Sequence, residues 1–295
     1  MRQPGRAHMA QARNPCYLAA MPVFAQLTDF HLRPPGTLTL GEVDTDRLVS
    51  AAIDRVNAEH PEIEAVLVTG DLTDLGEEEA YNRAAMLLAR FAVPVLVIPG
   101  NHDRADVMRD AFAAFPGVAT AAVDGKICHA TEIGGVTVVS LDTLVANAPH
   151  GTVGVEQLDW LDATLAAATG PALVAMHHPP FAVGIGFMDR VSLTDSAALA
   201  AVLTRHPNVM RVVCGHVHRT IVGAVGRVPA IAVPGVAHQV HLSLSPEAGP
   251  ALVMEPPAYG IHIVRDGETI SHVAYVDDYG PPIPVARGQT VEAVQ

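Results

Sequence analysis

Five short motifs in this 295-residue chain carry oxygen and imidazole donors: Asp29-Phe-His31, Gly70-Asp71, Gly100-Asn101-His102-Asp103, His177-His178-Pro179 and Gly215-His216-Val217-His218. Seven of their side chains, Asp29, His31, Asp71, Asn101, His177, His216 and His218, are candidate metal ligands. Carboxylate, imidazole and amide oxygen without thiolate suit divalent Zn, Mn, Fe or Co. Seven donors are too many for one tetrahedral site and suit two ions sharing a bridging carboxylate, for which Asp71 is the natural choice. An Asp-x-His or His-x-His pair on an extended segment points both side chains to one side, because strand side chains alternate. The glycines before Asp71, Asn101 and His216 allow tight turns that bring the backbone close to the metals. Taken singly, each motif is an ordinary turn or cap. Together they describe one site.

To meet, these motifs need a scaffold that delivers five chain segments to one place. Apolar runs at 23–28, 65–69, 95–98, 136–141, 172–176 and 209–214 read as strands, and each metal-ligand motif stands just past one of them. Between them, 46–57 aligns Leu48, Ala52 and Val56, while 77–90 aligns Tyr81, Ala84, Leu87 and Leu88. The stretch 156–168 repeats this with Leu158, Leu161 and Leu165, and 195–205 is an Ala- and Leu-rich helix with Asp195 as its candidate N-cap. Glu77-Glu-Glu79 reads as the solvated first turn of a helix. After Gly215, strand-like pieces at 228–233, 260–264 and 269–275 continue the sheet without a helix. Such alternation predicts an α/β layered domain, in which loops at the carboxyl ends of strands converge on one crevice.

Composition narrows the partners. With 31 Asp plus Glu against 18 Lys plus Arg, the net charge of −13 disfavours long nucleic acid as a substrate. A hydrophobic content of 49% supplies a large core, and 4% aromatics means that Ala, Val, Leu and Ile build it. Three cysteines, Cys16, Cys128 and Cys214, form no CxxC pair, which predicts a reducing, cytoplasmic compartment, and Cys214 reads as a small buried hydrophobe. No apolar run approaches the ~20 residues of a membrane span. The Arg-bearing start followed by 17–25 loosely imitates a signal peptide, but cleavage there would cut the first strand. Residues 1–20 are therefore expected to be a disordered extension, and 279–295 a flexible tail after a catalytic domain at 21–278.

In this order the five blocks resemble the calcineurin-like metallophosphoesterase superfamily, whose pattern is D-x-H, GD, GNHD, H and GHxH. The segment His177-His-Pro-Pro-Phe181, followed by Gly184-Ile-Gly-Phe-Met-Asp189, resembles more specifically the class III cyclic-nucleotide and glycerophosphodiester phosphodiesterases. The resemblance implies a four-layer αββα sandwich, with two mixed β-sheets flanked by helices. It implies two divalent ions (Fe, Mn, Zn or Co), one held by Asp29, His31 and His218, the other by Asn101, His177 and His216, and bridged by Asp71. The expected activity is hydrolysis of small phosphodiesters, 3′,5′- or 2′,3′-cyclic nucleotides or glycerophosphodiesters, by in-line attack of a metal-bridging hydroxide.

His102 is expected to contact the phosphate or protonate the leaving group, with Asp103 orienting its ring. His178, Phe181, Phe187, Met188 and His238 are candidate pocket residues, and the remaining histidines read mostly as surface or satisfied structural groups. A phosphomonoesterase or nuclease on the same core is the alternative, with a scaffold that has lost its metals a distant third. Retention of all seven ligands and His102 speaks against the scaffold. Residues 240–278 resemble a C-terminal extension that joins subunits, which implies a homodimer or larger homo-oligomer.

Overall fold

The computed structural model describes residues 21–284 apart from 121 and 266. The expected extension at 1–20, and most of the expected tail, lie outside the described residues.

Three strands of the first half, β1 (Val23–Leu27), β2 (Ala65–Thr69) and β3 (Val95–Ile98), and one later in the chain, β6 (Ala172–Ala175), are buried at every position. That is why they read as apolar runs, broken only by Gln26 in β1: each face meets a different core. In β2, Ala65 and Leu67 point into the apolar layer between two sheets, while Val66 and Val68 meet helices. Helices α1 (Thr45–Glu59) and α2 (Glu78–Leu88) cover that outer face through Val49, Ala52, Ile53, Val56, Tyr81, Ala84 and Leu88. On the far side, α4 (Val155–Ala167) and α6 (Ser196–Arg205) cover the second sheet through Leu161, Leu165, Leu199 and Leu203. The result is helix, sheet, sheet, helix, as the resemblance implies.

The first sheet has β1, β2 and β3 parallel, extended on the β1 side by β12 (Ala258–Arg265) and β13 (Glu268–Tyr275) running antiparallel. The second contains β5 (Val136–Ser140), β6, β7 (Val209–Cys214) and β9 (Val228–Ala232) in parallel, edged by antiparallel β4 (His129–Ile133) and β8 (Ile221–Val225). The C-terminal strands thus do not extend one sheet. They divide between both, and β10 (Gln239–Val240) with β11 (Leu252–Val253) forms a separate small hairpin.

Sequence patterning misses β4, whose half-exposed alternation weakens its apolar signal, although the Gly134-Gly135 pair after it marks the turn into β5. It also misses α3 (Ala105–Ala111), which buries only Met108, and the four-residue α5 (Gly186–Asp189). Asp195 precedes α6, but its carboxylate does not cap that helix. It accepts instead from the backbone nitrogens of Val153 and Gly154. Cys128 and Cys214 are buried free thiols, and burial pushes the Cys214 thiol up. No helix among the described residues is long and apolar enough to cross a membrane.

Candidate metal centre

Every parallel strand that carries a motif ends within two residues of it. Past β1 and β2 the backbones stay paired, with Asp29 N–H donating to the Gly70 carbonyl at 3.1 Å and His31 N–H to the Asp71 carbonyl at 2.9 Å. From the second sheet, Gly215 N–H donates to the His177 carbonyl, and His216 N–H reaches Asp29 Oδ1 at 3.1 Å. His102 N–H donates to Asp71 Oδ1 at 2.9 Å. Both carboxylates are therefore aimed by backbone donors from neighbouring loops. Gly70 and Gly100 make this approach possible. A Cβ on Gly70 would lie 2.5 Å from His177 Nδ1, and one on Gly100 would strike the Asp71 carboxylate.

The seven candidate ligands are brought together. Donor atoms of Asp29, His31, Asp71 and His218 lie within 4.8 Å of one another, as do those of His177, His178 and His216. Asp71 Oδ2 faces both groups, 3.6 Å from His31 Nε2 and 3.3 Å from His177 Nε2. Asn101 Oδ1 is 3.2 Å from that same His177 nitrogen. Five of the seven, Asp29, His31, Asp71, His216 and His218, have φ between 46° and 72°, the left-handed region. Such conformations cost a non-glycine residue about 1–3 kcal/mol and persist only where surrounding structure enforces them, commonly at functional sites.

The tautomers fit divalent ions. A backbone carbonyl can only accept, so His177 Nδ1 donates to Thr69, His218 Nδ1 to His238 and His216 Nε2 to Val191. In its neutral form each ring then has its other nitrogen as a lone-pair donor, the support pattern that metal-ligating histidines have. Two buried carboxylates, four imidazoles and an amide oxygen suit borderline divalent metals. The electrostatics agree. Burial opposes ionisation of Asp29 and Asp71, yet the adjacent His218 and His177 rings hold both carboxyls down, Asp29 at about 2. Burial works to lower His177 as well, but Asp71 and Asp29 raise it to about 9. For His216 burial prevails, assisted by His177, and brings it to about 3.

Asp103 does not orient His102. Its carboxylate is spent on the backbone nitrogens of Leu72, Thr73 and Gly100 and on the Tyr81 hydroxyl, so it ties the Gly70 loop to the Gly100 loop. Burial and the nearby Asp71 raise it to about 6. The residue beside His102 is Asp74, whose carbonyl accepts from His102 Nδ1 at 2.9 Å. The Asp74 carboxylate lies 3.5 Å from His31 Nδ1 and 3.8 Å from His102 Nδ1. Behind it stands Arg33, paired with Glu77 at 2.9 Å, so that glutamate is engaged as well as solvated. Only its place three residues after Asp71 could have signalled Asp74.

A cavity of about 760 Å³ opens above the cluster. Of the candidate pocket residues, Phe187, Met188 and His238 line it, with Leu40, Arg190 and Leu252. Phe181 does not. Its ring packs against Gly223 on β8 and the core beneath the second sheet. His178 is buried behind His216, ring centroids 4.5 Å apart, with Nδ1 2.8 Å from the Thr143 hydroxyl. The His238 ring lies tilted against those of His31 and His218, centroids 5.1 and 4.9 Å away, and burial lowers it to about 3. Of the other histidines, His129, His206 and His262 are buried, not on the surface.

The model of the calcineurin-like phosphoesterase family matches residues 22–220. A probable cyclic nucleotide phosphodiesterase of Rhodopseudomonas palustris is 37% identical over 264 residues, covering 88% of this chain and 94% of the relative. A probable glycerophosphodiester phosphodiesterase of Arcobacter nitrofigilis is 28% identical, covering 89% and 96%. Among solved structures, a dimetal phosphatase from Danio rerio superposes with a TM-score of 0.58 at 15% identity, covering 85% of this chain and 98% of the other, a likeness of fold.

Proposed function

The chain belongs to the calcineurin-like phosphoesterase family, and from that premise we propose that it is a metal-dependent hydrolase of small phosphodiesters, cyclic nucleotides or glycerophosphodiesters among them. The observation that carries this reading is Asp71 Oδ2 facing ring nitrogens of both groups, at 3.6 and 3.3 Å, beneath a cavity of about 760 Å³. In it, Asp29, His31 and His218 would hold one divalent ion and Asn101, His177 and His216 a second, with the Asp71 carboxylate available to both groups. When bound, such ions would supply neutralisation of phosphate charge and acidification of water for in-line displacement at phosphorus.

The chain's own residues do the rest. His102 keeps Nδ1–H on the Asp74 carbonyl, so its Nε2 is the nitrogen left for the substrate. It binds a phosphate oxygen or holds the proton that the departing alkoxide takes. Asp74 fixes that ring and, through His31 Nδ1, the ligand beside it. Phe187, Met188 and His238 border the leaving group. The net charge of −13 keeps long polyanions away, while a small diester reaches the cavity. A cytoplasmic location and a homo-oligomer complete the proposal.

The test is a metal-reconstituted panel. We expect the chain to bind two equivalents of Mn²⁺, and to cleave bis(p-nitrophenyl) phosphate and at least one cyclic nucleotide or glycerophosphodiester faster than p-nitrophenyl phosphate. Absence of diesterase activity with each of Mn, Co, Zn and Fe overturns it.

A further inference from the structure

The apolar layer between the two sheets holds a polar chain that none of the site chemistry uses. Gln26, on β1, points into that layer two residues along the strand from Phe24, which is part of its packing. It is fully buried. Its Nε2 donates to the Thr69 hydroxyl at 2.8 Å and to the Cys214 carbonyl at 2.9 Å, while its Oε1 accepts from His262 Nε2 at 2.9 Å. His262, on β12, is also fully buried, and its Nδ1 is 2.8 Å from the Ser271 hydroxyl on β13. Every hydrogen-bonding direction of the amide nitrogen is thus satisfied, in a layer where an unpaired amide would cost several kcal/mol.

The two acceptors of Gln26 belong to different sheets. Thr69 is the last residue of β2 and is followed by Gly70-Asp71, whereas Cys214 is the last residue of β7 and is followed by Gly215-His216. Thr69 also accepts His177 Nδ1–H on its carbonyl at 2.8 Å. One amide therefore spans the gap between the sheets where the loops carrying Asp71, His177 and His216 begin. Hydrogen bonds have narrow distance and angle preferences, so these two add a directional constraint on the sheet spacing at this point. We propose that Gln26, held by His262, is a positioning residue that clamps β2 to β7 and so sets the separation of the two halves of the metal centre. This rests on the two-ion reading of the site.

The test compares the full-length chain with Gln26→Met, which keeps the volume and removes both donors, and with Gln26→Leu/His262→Leu, which also removes the orphaned imidazole. Each metal-stripped protein is titrated with Mn²⁺, and its thermal midpoint without metal, kcat and KM are measured. Affinity for Mn²⁺ should fall about 10–100-fold, the effect typical of groups that orient metal ligands. The metal-free midpoint of the double variant should stay within a few degrees of wild type, and kcat should fall more than KM rises. Unchanged Mn²⁺ affinity in both variants overturns the clamp. So does a lowered midpoint with unchanged affinity, or failure of both variants to fold, since either makes the pair a folding element. If the wild type itself fails to bind two Mn²⁺, the two-ion reading falls instead.

Discussion

The floor of the cavity and its wall differ in how the chain supports them. On the floor, Asp29, His31, Asp71, His177, His216 and His218 are buried, most of them strained, and the side chains of all but His31 are tied to a backbone carbonyl or amide from elsewhere in the chain. On the wall, Leu40 is 66% exposed and Leu252 43%, and they come from a loop and from the two-residue strand of a hairpin. A floor so over-determined cannot adjust to a new substrate without losing its geometry. The wall can change side chains at little cost to the fold. In the proposed reading the buried floor carries the chemistry, and the exposed part of the wall, Leu40 and Leu252, is the permissive part, whereas Met188 and His238 on the same wall are buried.

Removing the floor's central carboxylate is the severest way to test that division. Asp71→Ala should lower kcat/KM by on the order of 10⁴, with loss of bound metal by elemental analysis. Metal retained at two equivalents would contradict its central place. His102→Ala should lower kcat by about 10²–10⁴ while metal content holds. Equal loss of metal would make His102 a ligand and not a proton or phosphate group. Asp74→Asn should cost about 10–100-fold in activity, more than Asp103→Asn costs in turnover of the protein that remains folded. Asp103 should register instead in thermal stability, because its bonds join loops.

The pH dependence follows from His177. Its folded pKa of about 9 means that the ring is protonated at pH 7 and must release that proton to become a ligand. Mn²⁺ affinity should therefore rise as pH rises from 7 to about 9, by roughly tenfold per unit for each proton released. A flat profile in calorimetry would remove that assignment. The smallest effects belong to the wall. Phe187→Ala and Leu252→Ala should change KM by less than about tenfold, with metal content and kcat on bis(p-nitrophenyl) phosphate unchanged. If either variant loses metal, floor and wall are not separable.

Several features are legible in the sequence alone. The strands at 65–69, 95–98 and 209–214 coincide with β2, β3 and β7 because their apolar runs are short, continuous and bounded by turn residues. The five motifs were legible because each packs its donors within a few residues of a strand end. Asp103 was misread because it adjoins His102 in sequence, although its side chain turns away to bind backbone amides. Phe181 was misread because its distance from the motifs along the chain is short while its ring faces β8. The β10–β11 hairpin was invisible because two-residue strands leave no period to detect.

By itself the sequence determined the chemistry: which donors are present, that they are carboxylate and imidazole without thiolate, and that strand ends carry them. These are local properties of residue type and spacing. Only the tertiary structure decided which neighbours aim those donors. Asp74 against His102, His238 over His31, and Gln26 between β2 and β7 join residues far apart in the chain or on opposite sheets. Such contacts depend on how two sheets and their loops come together, and no local pattern in the chain encodes that distance.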